Sequence, residues 1–253
     1  MNPVIRSAFW LAFFAAVILS WLAMYWMAVR MGISVLGKQA GMMNMAGMPA
    51  MGSPAMLVPM WAVMMIAMMG PTFVHTASTY EALMKSANGT CGGWVGLVLG
   101  FFAVWAGFAV VIALAQAWLM RVGWLDMFGV STTLWVTVAL LIIVGSFQFT
   151  RVKEVCQGVC QAPINYFLGH WRPGGSGGFR MGMGLGTFCV GCCWGYMVLG
   201  FAGGVMNLLW MGLATVIMVL EKLPPVAHYV SKPVGVVLIV TGLAIAVRAT
   251  GFV

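Results

Sequence analysis

The chain has 253 residues, of which 12 are Lys or Arg and four are Asp or Glu; 6% are charged and 63% are hydrophobic. An ordinary soluble domain is about 25% charged, so the composition excludes a cytosolic globular enzyme and a disordered chain. The net charge of +8 does not mark a nucleic-acid groove either, because the basic residues are scattered between long apolar runs.

What remains is an all-α polytopic membrane protein, a single membrane domain over 1–253. A bilayer core needs about 20 apolar residues per helix, and seven segments qualify: 7–29, 58–80, 94–118, 131–149, 183–202, 205–220 and 233–252. The first has no A-x-A-like cleavage site and reads as a retained anchor. Gly203–Gly204 breaks the fifth from the sixth, which would otherwise form one helix too long to span. Lys and Arg set the orientation. With the N-terminus inside, Arg6, Lys85, Arg151, Lys153, Arg172, Arg180, Lys222 and Lys232 fall on the inner side. Arg30, Lys38 and Arg121 fall outside, with Arg248 late in the last helix, so the expected orientation is N-in and C-out.

Two connections are long: an outer Met-, Gly- and Pro-rich loop, 30–57, and a basic inner loop, 150–182, that holds Cys156 and Cys160. Between Met42 and Met69, 11 of 28 residues are Met. Met42, Met43, Met45, Met48, Met51 and Met56 lie on the loop, where no burial argument calls for thioethers. Soft thioether sulfur suits Cu(I), although Met also fills gaps in apolar cores and is open to oxidation. In the second span, Met60, Met64, Met68 and His75 fall within an arc of about 80° at about 100° per residue, with Met65 and Met69 beside them. Pro71 removes the donor that the Ala67 carbonyl would use and predicts a kink. The pattern reads as a staged path for a soft ion; the alternative for His75 is a core histidine bonded to a neighbouring helix.

In the fifth span Cys189, Cys192 and Cys193 share an arc of about 100°, which Met197 extends. Three thiols on one face can supply a thiolate site or part of a mixed one; cysteine also serves as a small hydrophobe at close helix contacts. Gly182-x-x-x-Gly186, Gly191-x-x-x-Gly195 and Gly200-x-x-x-Gly204 predict such contacts. At about 1.5 Å per residue, His75 and Cys189 lie at similar depths from the inner ends of their spans. If the second and fifth spans touch, one site holds Met68, His75 and the three thiols. Cys156 and Cys160, four residues apart, would face one way in a reducing compartment and could accept the metal or hold one with His170. Glu221 and Asn207 share a face of the sixth span with Met211 and Met218, and Glu221 next to Lys222 reads as a local ion pair. The Gly-rich stretch 173–184 lacks the Lys-Ser/Thr ending of a phosphate loop. No Ser–His–Asp set, paired carboxylates or HExxH motif is present, which argues against an enzyme and against ATP-driven pumping.

Several motifs together resemble a bacterial family of uncharacterised, predicted metal-binding integral membrane proteins. They are Trp61-x-x-Met64-Met65-x-Ala67-Met68-Met69-x-Pro71, Cys156-x-x-x-Cys160-x-x-Pro163, Trp171-Arg172-x-Gly174 and Met181-Gly182. Cys189-x-Gly191-Cys192-Cys193-Trp194, Gly204-Val205-Met206-Asn207-Leu208-Leu209-Trp210-Met211 and Glu221-Lys222 complete the set. The resemblance covers about 58–225. It leaves out the outer Met loop, and Gly195–Tyr196 stands where a more aliphatic pair is expected. It implies metal binding and a multi-pass location in the bacterial inner membrane.

The leading expectation is a protein that binds a soft ion, Cu(I) above others, for transport, storage or delivery, with membrane lipid around it and a soluble metal-accepting partner. The alternative is an accessory subunit of a larger membrane metalloenzyme complex. A thiol–disulfide redox protein is a weaker reading, because it would need Cys pairs on the oxidising side and all six map to the inner half or mid-membrane.

Overall fold

The computed structural model describes residues 3–34, 52–84, 86–87, 89–126 and 128–250. Met42, Met43, Met45, Met48 and Met51 therefore lie outside the described residues, whereas Met56 sits half-exposed in the first turn of the second helix. The architecture is all-α: α1 (Pro3–Arg30), α2 (Pro54–Met84), α3 (Cys91–Arg121), α4 (Leu134–Phe147) and α5 (Arg151–Gln161). Then follow α6 (Pro163–His170), α7 (Gly174–Val198), α8 (Gly200–Gly203), α9 (Leu208–Glu221) and α10 (Pro224–Ala249). α1, α2, α3, α10 and the stretch Gly174–Gly203 are long and apolar enough to cross a membrane. α4 and α5 together form a further candidate bent by 63°, and α9 is a shorter apolar helix of 14 residues. Among the described residues each of the seven apolar segments overlaps a helix, the fifth being divided between α7 and α8.

Paired contacts give the relative directions. Residues of α1 meet α2 in descending order: Trp10 Nε1 donates to Glu81 at 2.8 Å, and Trp21 Nε1 donates to the Ala67 carbonyl at 3.0 Å. These two helices are antiparallel. The second bond answers the defect that Pro71 introduces, since Ala67 is the carbonyl whose intrahelical donor the proline lacks. α2 runs on through Pro59 and Pro71 as one helix. α4 and α10 are also antiparallel, with Gly145 against Gly235 and Ile239, and Gly242 against Leu141 and Ile142.

α3 and α7 run parallel and pack most closely. A Cβ built on Gly178 would overlap the Gly93 carbonyl, one on Gly182 the Leu97 carbonyl, and one on Gly100 the Phe179 carbonyl. Two glycine stripes therefore face each other and let the backbones touch, as small-residue interfaces do in membranes. Glycine costs helix stability of up to about 1 kcal/mol per residue; here that cost is offset by packing a side chain would prevent. Gly182→Ala is expected to destabilise the protein by about 1–3 kcal/mol, the usual penalty for overpacking. Thermal unfolding in detergent measures it, with Gly212→Ala as control, because a Cβ at Gly212 meets nothing within 4 Å.

The sharp reversal after α7 falls at Gly204, whose φ of +96° suits glycine. Asn207 then caps α9 by accepting from Trp210 N at 3.1 Å. Residues 150–182 are largely helical: Thr150 caps α5 by accepting from Lys153 N, and Pro163 starts α6. α4 and α9, at 14 residues each, are about 21 Å long, shorter than a bilayer core of about 30 Å. They end partway along the 25-residue α7, and α5 turns in against α7 at that level. That turn brings polar residues against the middle of the Cys-bearing helix.

Candidate metal centre

α5 is the one strongly amphipathic helix beside the site. Lys153, Gln157 and Cys160 are its buried residues, spaced i, i+4 and i+7, which places them on one face. Cys156 lies next to that stripe and is half-buried; a Cβ at Gly191 would sit 2.8 Å from its sulfur. Of the expected cytoplasmic pair, Cys160 alone enters the core. On α7, Cys189, Cys192 and Cys193 are all buried, as the shared arc implied.

The two helices bring four thiols together. Ligand atoms of Cys160, Cys189 and Cys192 all lie within 4.8 Å of one another. Cys160 Sγ is 3.9 Å from Cys192 Sγ, and Cys193 Sγ is 3.3 Å from Cys192 Sγ. All six cysteines of the chain are free thiols. With metal–sulfur bonds of about 2.3 Å, sulfurs sit about 4.0 Å apart in a trigonal plane and about 4.6 Å apart across a straight bridge. The cluster fits either arrangement, and thiolate is the donor that soft ions prefer.

α2 packs on α1, α3 and α9 and meets α6, while α7 packs on α3 and α5. The thiol from outside α7 that meets this group is Cys160 of α5. His75 is half-buried, and its Nε2 lies 3.2 Å from the carbonyl oxygen of Gln161, the residue after Cys160. Met60, Met64 and Met68 are buried in the core with Met65 and Met69, and Met197 is likewise buried on α7. α7 begins nine residues before the expected start at 183, so Cys189 lies about 22 Å into its helix. His75 is nine residues, about 14 Å, from the end of α2, and Met68 about 24 Å, by the same rise. Met68 rather than His75 thus matches Cys189 in depth. His170 is exposed and stacks on Tyr166.

Charged residues missing from the expected site surround it. Glu221 does not pair with its neighbour Lys222, contrary to expectation. Its carboxylate accepts from Lys153 Nζ at 2.7 Å and from Tyr196 Oη at 2.7 Å. Lys222 turns the other way and donates to Cys189 Sγ at 2.9 Å. The reason is the helix end: Glu221 closes α9 and Lys222 is its C-cap, so consecutive side chains diverge. Lys153 Nζ also donates to the Cys192 carbonyl at 3.0 Å, and the Gln157 and Gln161 amides donate to the Glu221 carbonyl. Lys153, Glu221 and Lys222 are 1%, 2% and 4% exposed. Charges at that burial persist only when paired. Tyr196 completes the bonding of Glu221. The available signal was the presence of Lys153, Glu221 and Lys222 at the borders of apolar segments, where ionised groups are costly and mark function.

A family model described as PpoB2, copper chaperone, matches residues 57–245. The match runs from α2 to α10 and contains all four clustered thiols, both lysines and Glu221. No curated protein and no solved structure matches the chain. A matched span of that length, enclosing a buried thiol cluster suited to a soft ion, places the chain in the PpoB2 copper chaperone family.

Proposed function

We propose that the protein is a multi-pass inner-membrane chaperone that takes up Cu(I) and passes it on, holding it in transit at the thiol cluster. The observation that carries this reading is the convergence of Cys160, Cys189 and Cys192 within 4.8 Å in a buried interior. The orientation is N-in and C-out, with the five long helices as full crossings and the bent α4–α5 pair and the short α9 as the interrupted ones between them. Of the basic residues expected inside, Lys153 and Lys222 are buried at the site; Arg6, Lys85, Arg151, Arg172, Arg180 and Lys232 still outnumber those outside, as the positive-inside bias requires.

In this reading the outer methionines Met42, Met43, Met45, Met48, Met51 and Met56 collect the ion. Met60, Met64 and Met68 line its way along α2 toward the depth of Cys189, and His75 lies beyond. A polar cavity of about 210 Å³ beside α5, lined by Glu154, Gln157, Gln161, His228, Ser231 and Lys232 among others, is where a soluble acceptor would approach in this reading. Copper is cargo here, and no chemical conversion is required of the chain.

Metal content tests the reading. Protein purified from copper-supplied cells under reducing conditions is expected to hold about one copper per chain. The variant Cys189→Ser/Cys192→Ser/Cys193→Ser is expected to hold none while keeping its helical circular dichroism. Equal copper in both proteins, or none in the wild type, would rule the site out.

A further inference from the structure

The charges around the thiols do not cancel. Lys153 and Glu221 form an ion pair at 2.7 Å, leaving Lys222, 4% exposed, with its ammonium 2.9 Å from the Cys189 sulfur. A buried ammonium facing sulfur rather than carboxylate needs a negative charge beside it. Cu(I) held by two thiolates carries a net charge of −1, because each ligating sulfur gives up its proton. Placed next to Lys222, that complex brings the whole buried assembly to zero. A third thiolate would return it to −1, and two thiolates without Lys222 would leave the same uncompensated charge.

We propose that Lys222 is the built-in counter-ion of a two-thiolate Cu(I) complex held by Cys189 of α7 and Cys160 of α5, whose sulfurs lie within 4.8 Å of each other. The proposal rests on the thiol cluster being the copper site. Lys222 does not ligate; it acts through Cys189. Its ammonium, 2.9 Å from the Cys189 sulfur, stabilises the loaded state. The Lys153–Glu221 pair keeps a second cation occupied, so that one positive charge rather than two faces the metal. The neighbouring residues Glu221 and Lys222 thus have separate duties, one holding α5 to α9 and the other balancing the cargo.

The test uses the full chain in detergent under anaerobic, reducing conditions, with Cu(I) binding measured by competition against a chromophoric Cu(I) chelator. Lys222→Met is expected to weaken binding by about thirtyfold or more, the scale for removing one partner of a buried charge pair. Lys222→Arg keeps the charge and is expected to remain within about threefold of wild type. X-ray absorption at the copper edge is expected to show two short copper–sulfur contacts in the wild type. Circular dichroism checks the fold, and Lys222→Gln replaces Lys222→Met if the latter does not fold. Binding by Lys222→Met equal to wild type would overturn the proposal, as would Lys222→Arg being as weak as Lys222→Met. Three sulfurs around wild-type copper would overturn it without recourse to any variant. A wild type that binds no Cu(I) would instead overturn the metal-site reading beneath it, so the two failures are distinct.

Discussion

Replacing Glu221 with alanine is expected to destabilise the protein by about 3–5 kcal/mol, the cost of breaking a buried ion pair from one side. The carboxylate accepts from Lys153 and from Tyr196, and its removal leaves an ammonium and a phenol without that partner in an interior closed to water. The ammonium would keep its bond to the Cys192 carbonyl and its place over the Tyr196 ring, 5.0 Å from the centroid. Removing both charges is a different experiment. Lys153→Met/Glu221→Leu places apolar groups in that volume and is expected to recover most of the loss, because a buried pair contributes little net stability over a hydrophobic replacement. Thermal unfolding of wild type, Glu221→Ala and the double variant in one detergent reads the difference. A double variant as unstable as Glu221→Ala would show that the pair fixes geometry rather than charge. The single variant should also loosen α5 from α9, since Gln157 and Gln161 bond the backbone of the same residue.

Cys160→Ser is expected to weaken Cu(I) binding by about a hundredfold or more, and Cys156→Ser to leave it within about threefold. Loss of a supporting group around a metal site costs about 10–100-fold, so loss of a sulfur donor sets a larger scale. The two cysteines sit four residues apart on the same short helix, yet Cys160 Sγ lies 3.9 Å from Cys192 Sγ whereas Cys156 packs against Gly191. Chelator competition on the two single variants decides the matter. Equal loss in both would mean that the helix rather than the sulfur matters, and no loss in either would remove α5 from the site.

The contrast between those residues shows how far the sequence carries. Helical spacing correctly put Cys189, Cys192 and Cys193 on one face, because a regular helix fixes angles from residue numbers alone. The same rule gave Cys156 and Cys160 a common direction. It could not say which edge of α5 turns inward, because that depends on where α4 bends. The stripe Lys153, Gln157, Cys160 is visible as a pattern, but a lysine at its head reads as solvent-facing until Glu221 supplies its partner from 68 residues away. Pro71 is a case of the reverse kind. Its chemistry named the orphaned carbonyl, Ala67, and the structure supplied the donor, Trp21.

Composition and apolar run length determined that the chain is helical and where its apolar segments lie, since both follow from the cost of leaving backbone groups unpaired in apolar surroundings. Residue type determined that the sulfurs suit a soft ion. The tertiary structure decided which sulfurs meet. It brought Cys160 of α5 against the thiols of α7, and it separated Glu221 from Lys222. The reason lies in the short helices: α4 and α9 stop after 14 residues, and a 63° bend carries α5 against α7. The relative placement of two helix ends is set by packing across the whole bundle and not by any local run of residues.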